Sequence, residues 1–348
     1  MPPVIAIDAM GGDRAPGEII AGALRAVDEC DVDVLLVGPA DTVREHLPQG
    51  LPPARVEILD AAEIIAMDEE PASAVRKKKD SSIVRCAEAV RDGQAAAMVG
   101  AGNTGATMAA ALLRFGRIKG VHRPAIAIPI PVFAEDRIQL LVDGGATVDP
   151  DPEWLVEWAE LARAYARVRL GVAEPTVALL SNGEEPGKGD ALRKRASALF
   201  ADVKGFVGNV EGRDVARRSA DVIVTDGFTG NVTLKTLEGA VMGLAGLVFG
   251  VVDEPGTPWA DAAEALKLRL LEAASPLLPD NTGGALLLGV EGVCIISHGS
   301  SSATAIVNAA RVARDCVRAD VVTKLRDAVG ALRASDTDAG NESGTRAG

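Results

Sequence analysis

The stretch Asp226-Gly227-Phe228-Thr229-Gly230-Asn231-Val232-Thr233-Leu234-Lys235 follows the apolar run 221–225 and opens a long apolar segment that ends near Val252. A strand, a glycine-rich turn and a helix start present free backbone N–H groups and the positive end of a helix dipole, a setting that binds anions. Thr229 reads as the N-cap, which puts Asn231 in the first turn with its amide beside those donors. A second turn, Ser181 to Gly189, sets Lys188 between two glycines after another apolar strand. An ammonium there can neutralise a phosphate or stabilise a developing oxyanion; the alternative is a solvated loop lysine. The spacing is too short for a P-loop, and Gly189 stands where a magnesium-binding hydroxyl would be needed, which argues against a nucleotide triphosphatase.

Four further turns carry the same logic. Asp8-Ala9-Met10-Gly11-Gly12-Asp13 follows the first strand, and Gly100-Ala101-Gly102-Asn103-Thr104-Gly105 is a literal G-x-G-x-x-G between strand and helix. Taken alone the latter indicates a dinucleotide fold, but Glu135 is the only candidate for the ribose-binding acid and it follows Pro129 and Pro131. An anion site built from Asn103, Thr104 and Gly105 is the firmer reading. Asp143-Gly144-Gly145 and Ser297-His298-Gly299-Ser300-Ser301 complete the set, with His298 at the rim as either a functional or a structural histidine. Arg76-Lys77-Lys78-Lys79 is the densest basic run, either a solvated face or a docking patch for an acidic partner.

These turns need a scaffold. Short β-branched runs alternate with Ala/Leu-rich segments, from Val4–Asp8 through Val34–Gly38, Val56–Leu59, Ala96–Gly100, Ile126–Ile130, Ile138–Val142, Val177–Leu180 and Val222–Val224 to Val293–Ile296. Near-continuous apolar strands separated by helices imply an α/β fold with a largely parallel sheet covered on both faces. In such a sheet the six turns should gather on one edge as a cleft. Trp154, Leu155, Trp158 and Ala162 follow a helix start at Asp151-Pro152 and read as a core stripe. The charge-free run 93–113 is long enough to suggest a membrane span, but its Gln, Asn, Thr and Gly residues break it into strand, turn and helix. From Leu237 to Val252 the helix becomes apolar, Pro255-Gly256-Thr257-Pro258-Trp259 turns the chain, and a second helix carries Leu266, Leu268, Leu270 and Leu271 beside Lys267 and Arg269. That pair reads as a dimer-packing or membrane-touching tip.

Composition narrows the function. The 348 residues are 48% hydrophobic and carry a net charge of -13, which suits a globular protein and argues against nucleic acid as a partner. Cys30, Cys86, Cys294 and Cys316 form no CxxC pair, and with three scattered histidines they offer no zinc or haem spacing. Reduced thiols and a chain that enters a strand directly after Pro3 fit a cytoplasmic protein without a signal peptide. Residues 1–333 read as one catalytic unit, with 237–280 as its apolar tip and 334–348 as a disordered tail.

Taken in order, the blocks Ile5–Asp13, Arg76–Ser82, Gly102–Gly105, Gly208-Asn209-Val210-Glu211, Asp226–Thr236 and His298–Ser301 resemble the PlsX family, the bacterial acyl-acyl-carrier-protein:phosphate acyltransferases of phospholipid synthesis. The resemblance spans Ile5 to about Arg318. It implies a three-layer α/β/α fold like that of isocitrate and isopropylmalate dehydrogenases and of phosphotransacetylase. It implies transfer of a fatty acyl group from acyl carrier protein to inorganic phosphate, with no cofactor and no metal. It also implies a homodimer at the inner face of the membrane, working with a membrane glycerol-phosphate acyltransferase. Lys188 and Asn231 match the family's catalytic lysine and asparagine. Asp8, Gly11, Gly12, Asp13, Asn103, Thr104, Gly105, Asp226, Thr229, Gly230 and His298 would surround phosphate and thioester. Arg76, Lys78 and Lys79 would meet the acidic carrier, with Arg193, Lys194 and Arg195 next in line. The chain departs from the family pattern at Arg14, at Ile296 and in the block Asp143-Gly144-Gly145-Ala146-Thr147, where the family reads Asp-Val-Gly-Ala-Asn. Two other enzyme readings share the motifs, an acyl-coenzyme A phosphotransacetylase and an NAD-dependent decarboxylating dehydrogenase. A non-catalytic membrane scaffold is the reading from another class.

Overall fold

Residues 1–132, 135, 137–252, 262–274 and 279–344 are described by the computed structural model. Strands and helices alternate through β1 (Val4–Asp8), α1 (Gly17–Cys30), β2 (Asp33–Gly38), α2 (Ala40–Glu45), β3 (Val56–Asp60), α3 (Pro71–Lys77), α4 (Ser82–Arg91), β4 (Ala97–Gly100) and α5 (Thr104–Arg114). The charge-free run thus divides into strand, turn and helix. The chain continues with β5 (Ala125–Pro131), β6 (Ile138–Val142), α6 (Pro152–Arg169), β7 (Val177–Leu180), α7 (Ala191–Phe200), β8 (Phe206–Val210) and β9 (Val222–Val224). It ends with α8 (Gly227–Val252), α9 (Ala263–Ala274), α10 (Pro279–Thr282), β10 (Ala285–Leu288), β11 (Val293–Ile296), α11 (Ala303–Arg318) and α12 (Val321–Gly344). The turn expected at Pro255–Trp259 lies outside the described residues.

All eleven strands form one sheet in the order β3-β2-β1-β4-β11-β10-β5-β6-β9-β7-β8. Alternation of side chains across the sheet makes three layers. Ile5 and Ile7 of β1 point into a core shared with α1, α6, α7, α11 and α12. Ala6 between them points to the opposite core, packed by α4 and α5. Leu155, Trp158 and Ala162 are fully buried in the first core, as the stripe on α6 requires. Trp154 instead sits at the rim, its ring stacked on His122 with centroids 6.1 Å apart and planes 13° from parallel.

The direction of the strands corrects the expectation of a single cleft edge. β1 to β4 and β11 run parallel to one another. β10 is antiparallel to both β11 and β5, and β5 is antiparallel to β6. β6, β9, β7 and β8 then run parallel among themselves but against the first set. The turns after β1, β4 and β11 therefore leave one edge, and those after β6, β7 and β9 leave the other. α12 continues to Gly344, because extending a helix already docked through Val321, Leu325 and Val329 needs no new nucleus.

α1 and α11 cross in close contact at Gly22, where a Cβ would lie 2.5 Å from the Ala303 carbonyl oxygen and 2.7 Å from Ile306 Cβ. Gly22→Ala should therefore destabilise the fold by about 1–3 kcal/mol, despite alanine's better helix propensity, as read by urea unfolding.

Candidate active site

At the first edge three turns touch through their backbones. A Cβ on Gly11 would lie 2.8 Å from the Gly102 nitrogen, and one on Gly12 would lie 3.0 Å from the Gly299 oxygen. The Asp13 amide donates to Gly299 O at 2.8 Å. Only residues without side chains allow this approach. Asp8 ends β1 with its carboxylate accepting from the Met10 amide. Asn103 caps α5 by accepting from the Ala106 amide, and its own amide donates to the carbonyls of Ala66, Met67 and Glu69. Its side chain thus fixes the neighbouring loop, leaving exposed Thr104 and backbone groups to face solvent. His298 is exposed, with Nδ1 2.7 Å from Ser300 Oγ.

At the opposite edge α8 starts one residue after Asp226. Asp226 is the cap: its Oδ1 accepts from the Thr229 amide at 2.8 Å. Thr229 is therefore not the N-cap but the third residue of the helix, because the carboxylate of Asp226 already reaches the amide that such a cap must satisfy. The first turn lies hard against the turn after β6. A Cβ on Gly230 would sit 1.9 Å from Asp143 O, and one on Gly227 would sit 2.7 Å from Thr147 O. The Asp143 carboxylate is buried and accepts from the amides of Ile126, Gly145, Ala146 and Thr147. Burial still raises its pKa above the ordinary carboxylate value, against those four bonds. Asn231 is exposed one turn into the helix, beside Gly145.

Arg193, in the first turn of α7, joins this helix start to the Lys188 turn. Its guanidinium pairs with Asp190 at 2.7 Å and with Asp226, and donates to Thr225 Oγ1 and Thr229 Oγ1 at 2.9 Å each. Burial would raise the Asp226 carboxyl, but the Thr229 amide and hydroxyl and the Arg193 charge outweigh it and hold the pKa below its usual value. Lys188 is exposed, its stem folded over Gly183, and among the described residues it has no ion pair. Four residues beyond Asn231, and so on the same helix face, Lys235 reaches across to His298 with Nζ 3.1 Å from Nε2. The two edges are joined through this contact.

The proposed docking residues divide. Arg76 and Lys79 are exposed. Lys78 is held by Glu69 at 2.6 Å and by Ile64 O at 2.7 Å, so its charge braces the loop. Arg193 is 7% exposed and belongs to the interior, which removes it from any docking surface, while Lys194 and Arg195 remain exposed. Sequence reasoning passed over the structural weight of Arg193, Asp143 and Lys235. Only Lys235 left a signal, its i+4 spacing from Asn231.

The mostly parallel sheet covered by helices on both faces defines an α/β fold. The fold is shared with a phosphotransacetylase from Streptococcus pyogenes, at TM-score 0.58 and 17% identity over 91% of this chain and 94% of that one. A branched-chain phosphotransacylase from Enterococcus faecalis V583 shares it at TM-score 0.55 and 16% identity, over 91% and 99% of the two chains. Residues 4–324 match the fatty acid synthesis protein family, and the chain belongs to it. A phosphate acyltransferase of Desulfitobacterium hafniense (strain Y51) is 48% identical over 327 residues, 92% of this chain and 96% of the relative. One of Gloeothece citriformis is 45% identical over 336 residues, 92% of each chain. This protein is accordingly a transferase enzyme.

Two measurements test the site's construction. Arg193→Ala leaves Asp226 buried without its partner and should cost about 3–5 kcal/mol in urea unfolding. Asp8 is buried at the end of β1, and desolvation lifts its carboxyl from 3.8 to about 6, against hydrogen bonds from Ser82 and Met10. The folded chain therefore holds this proton more tightly than the unfolded one. Its contribution to stability is complete below pH 3.8, declines as pH rises, and is gone above about 6. Asp8→Asn should remove that decline, gaining about 3 kcal/mol relative to the native chain between about pH 4 and about pH 7.

Proposed function

We propose that this enzyme transfers a fatty acyl group from the thioester of acyl carrier protein to inorganic phosphate. A phosphate oxygen attacks the thioester carbonyl, the new C–O bond forms, and the C–S bond breaks to release acyl phosphate and the carrier thiol, which takes up a proton. Phosphate is already anionic near neutral pH, so the reaction needs positioning and oxyanion stabilisation more than a strong base. The observation that carries this reading is the Arg193 junction, which holds the Lys188 turn against the helix start bearing Asn231. Lys188 supplies charge to the phosphate or the developing oxyanion, and the Asn231 amide donates a hydrogen bond. Gly11, Gly12, Thr104 and Gly105 contribute backbone donors from the opposite edge, and His298, in contact with Lys235, faces the departing thiol. Family membership and the identity to phosphate acyltransferases support the acyl-to-phosphate chemistry. The phosphotransacetylase fold favours coenzyme A thioesters as the second reading.

Arg76 and Lys79, with Lys194 and Arg195 next, are charges available for an acidic carrier. The apolar tip supplies the contact with a second copy and with the inner face of the membrane. α8 is 26 residues long, and its most apolar 18-residue window has a mean hydropathy of 1.5 and is 6% buried. Met242, Leu244 and Leu247 are each more than 60% exposed, and Leu268 and Leu271 of α9 add to the surface. Binding of the protein to anionic vesicles, and its loss in Leu244→Glu/Leu247→Glu, would test the membrane half of this reading.

Release of free thiol from a long-chain acyl-carrier-protein should depend on inorganic phosphate and exceed that from the matching acyl-coenzyme A. Lys188→Ala and Asn231→Ala should each lower kcat/KM about 100-fold or more. Faster release from acyl-coenzyme A would select the phosphotransacetylase, and no phosphate-dependent release with either donor would remove the transferase assignment.

A further inference from the structure

A cavity of about 590 Å³ opens away from the Lys188 and Asn231 turns, at the end of the sheet where β6 and β9 begin. Arg137, Arg169 and Arg218 line it, together with Gln139 of β6. Gln139 is 1% exposed. Its Oε1 accepts from the Arg218 amide at 3.3 Å, and its Nε2 has no hydrogen-bond partner among the described residues. A buried amide donor without an acceptor is costly, and native structures rarely keep one without a use.

The charges around the cavity favour an anion. Asp221 lines it, but one of its oxygens already accepts from the Thr176 amide and hydroxyl at 2.8 Å each. Glu135 faces Arg218 at 3.7 Å, a loose pair. Arg137 is exposed and has no ion pair among the described residues. Among the described residues that line the cavity, three guanidiniums stand against two carboxylates, in a chain whose net charge is -13. Leu170 and Val172 supply apolar wall. The volume falls in the range of small-molecule sites and exceeds what a bare phosphate ion would fill.

We propose that this cavity is a second binding site, separate from the Lys188 and Asn231 turns, for a small organic anion with a phosphate or carboxylate head and a short apolar body. The head lies between Arg137 and Arg218 and supplies the acceptor that Gln139 Nε2 lacks; the body rests on Leu170 and Val172. The cavity lies on the same edge of the sheet as the turn that carries His298, and a chain of contacts links the two. Arg169 donates to Thr282 O of α10 at 3.1 Å, and Asp280 of the same short helix accepts from Ser302 Oγ at 2.5 Å, just past the turn that carries His298.

The test is calorimetric titration of the full chain with n-butyl phosphate, inorganic phosphate and butyrate, in a Lys188→Ala/Asn231→Ala background that silences the other site. n-Butyl phosphate or butyrate should bind with one site per chain and more tightly than inorganic phosphate, and the better of the two names the head group. Arg137→Ala, at an exposed position, should weaken that binding about tenfold. Gln139→Glu keeps the acceptor for the Arg218 amide but replaces the free donor with a carboxylate, and it should abolish binding while the thermal midpoint shows the chain still folded. Absence of binding in the silenced background, or unchanged affinity in both cavity variants, would overturn the proposal.

Discussion

One guanidinium sets the geometry of the lower half of the site. Arg193 meets the end of β7 through Leu180 O, its own helix cap through Asp190, and the end of β9 and start of α8 through Thr225, Asp226 and Thr229. Burying a charged pair is normally close to neutral for stability, because desolvation offsets the attraction. Here the planar fork has acceptors on several sides, so the buried charge is satisfied as well as paired. A lysine could not replace it, since an ammonium cannot span the same set of acceptors. The function of the pair is registration. The Lys188 turn belongs to one β–α unit and Asn231 to the next, and Arg193 locks the two together.

The reversal of strand direction between β11 and β6 has an equally strong consequence. It sends the glycine turns to opposite edges, so no single row of helix starts can surround the substrate. α8 starts at the second edge and meets the first through one side-chain contact. Asn231 and Lys235 are four residues apart, about 6 Å along the axis, and share one face of the helix. Lys235 then touches His298, bringing the second set of turns within reach of the first.

Much of this was legible in the chain. β1, β6, β7, β9 and β11 are β-branched runs bounded by polar turns, and each strand falls where that pattern places it. β10 is Ala285-Leu-Leu-Leu, a composition that suits a helix as well as a strand, and β8 contains Gly208; neither announces itself. Strand direction is not written locally either, because a fully buried strand is apolar along its length whichever way it runs. The same limit applies to charges. The basic runs at Arg76 and Arg193 look alike as text, yet Lys78 and Arg193 are turned inward by partners distant in sequence, and Arg76 and Lys79 are not. Thr229 and Asp226 both suit a cap, and only the backbone path decides between them.

The same continuity gives the apolar tip its meaning. α8 is a single helix of 26 residues, about 39 Å long, whose first turns carry Asn231 and Lys235 and whose later turns expose Met242, Leu244 and Leu247. A rigid rod ties these ends together, so whatever covers the distal face is held in a fixed direction from the reacting groups. Contiguous exposed apolar side chains of this kind mark an interaction face. One helix therefore carries Asn231 and Lys235 at its start and exposed Met242, Leu244 and Leu247 toward its end, and a substitution at either end acts on the same element.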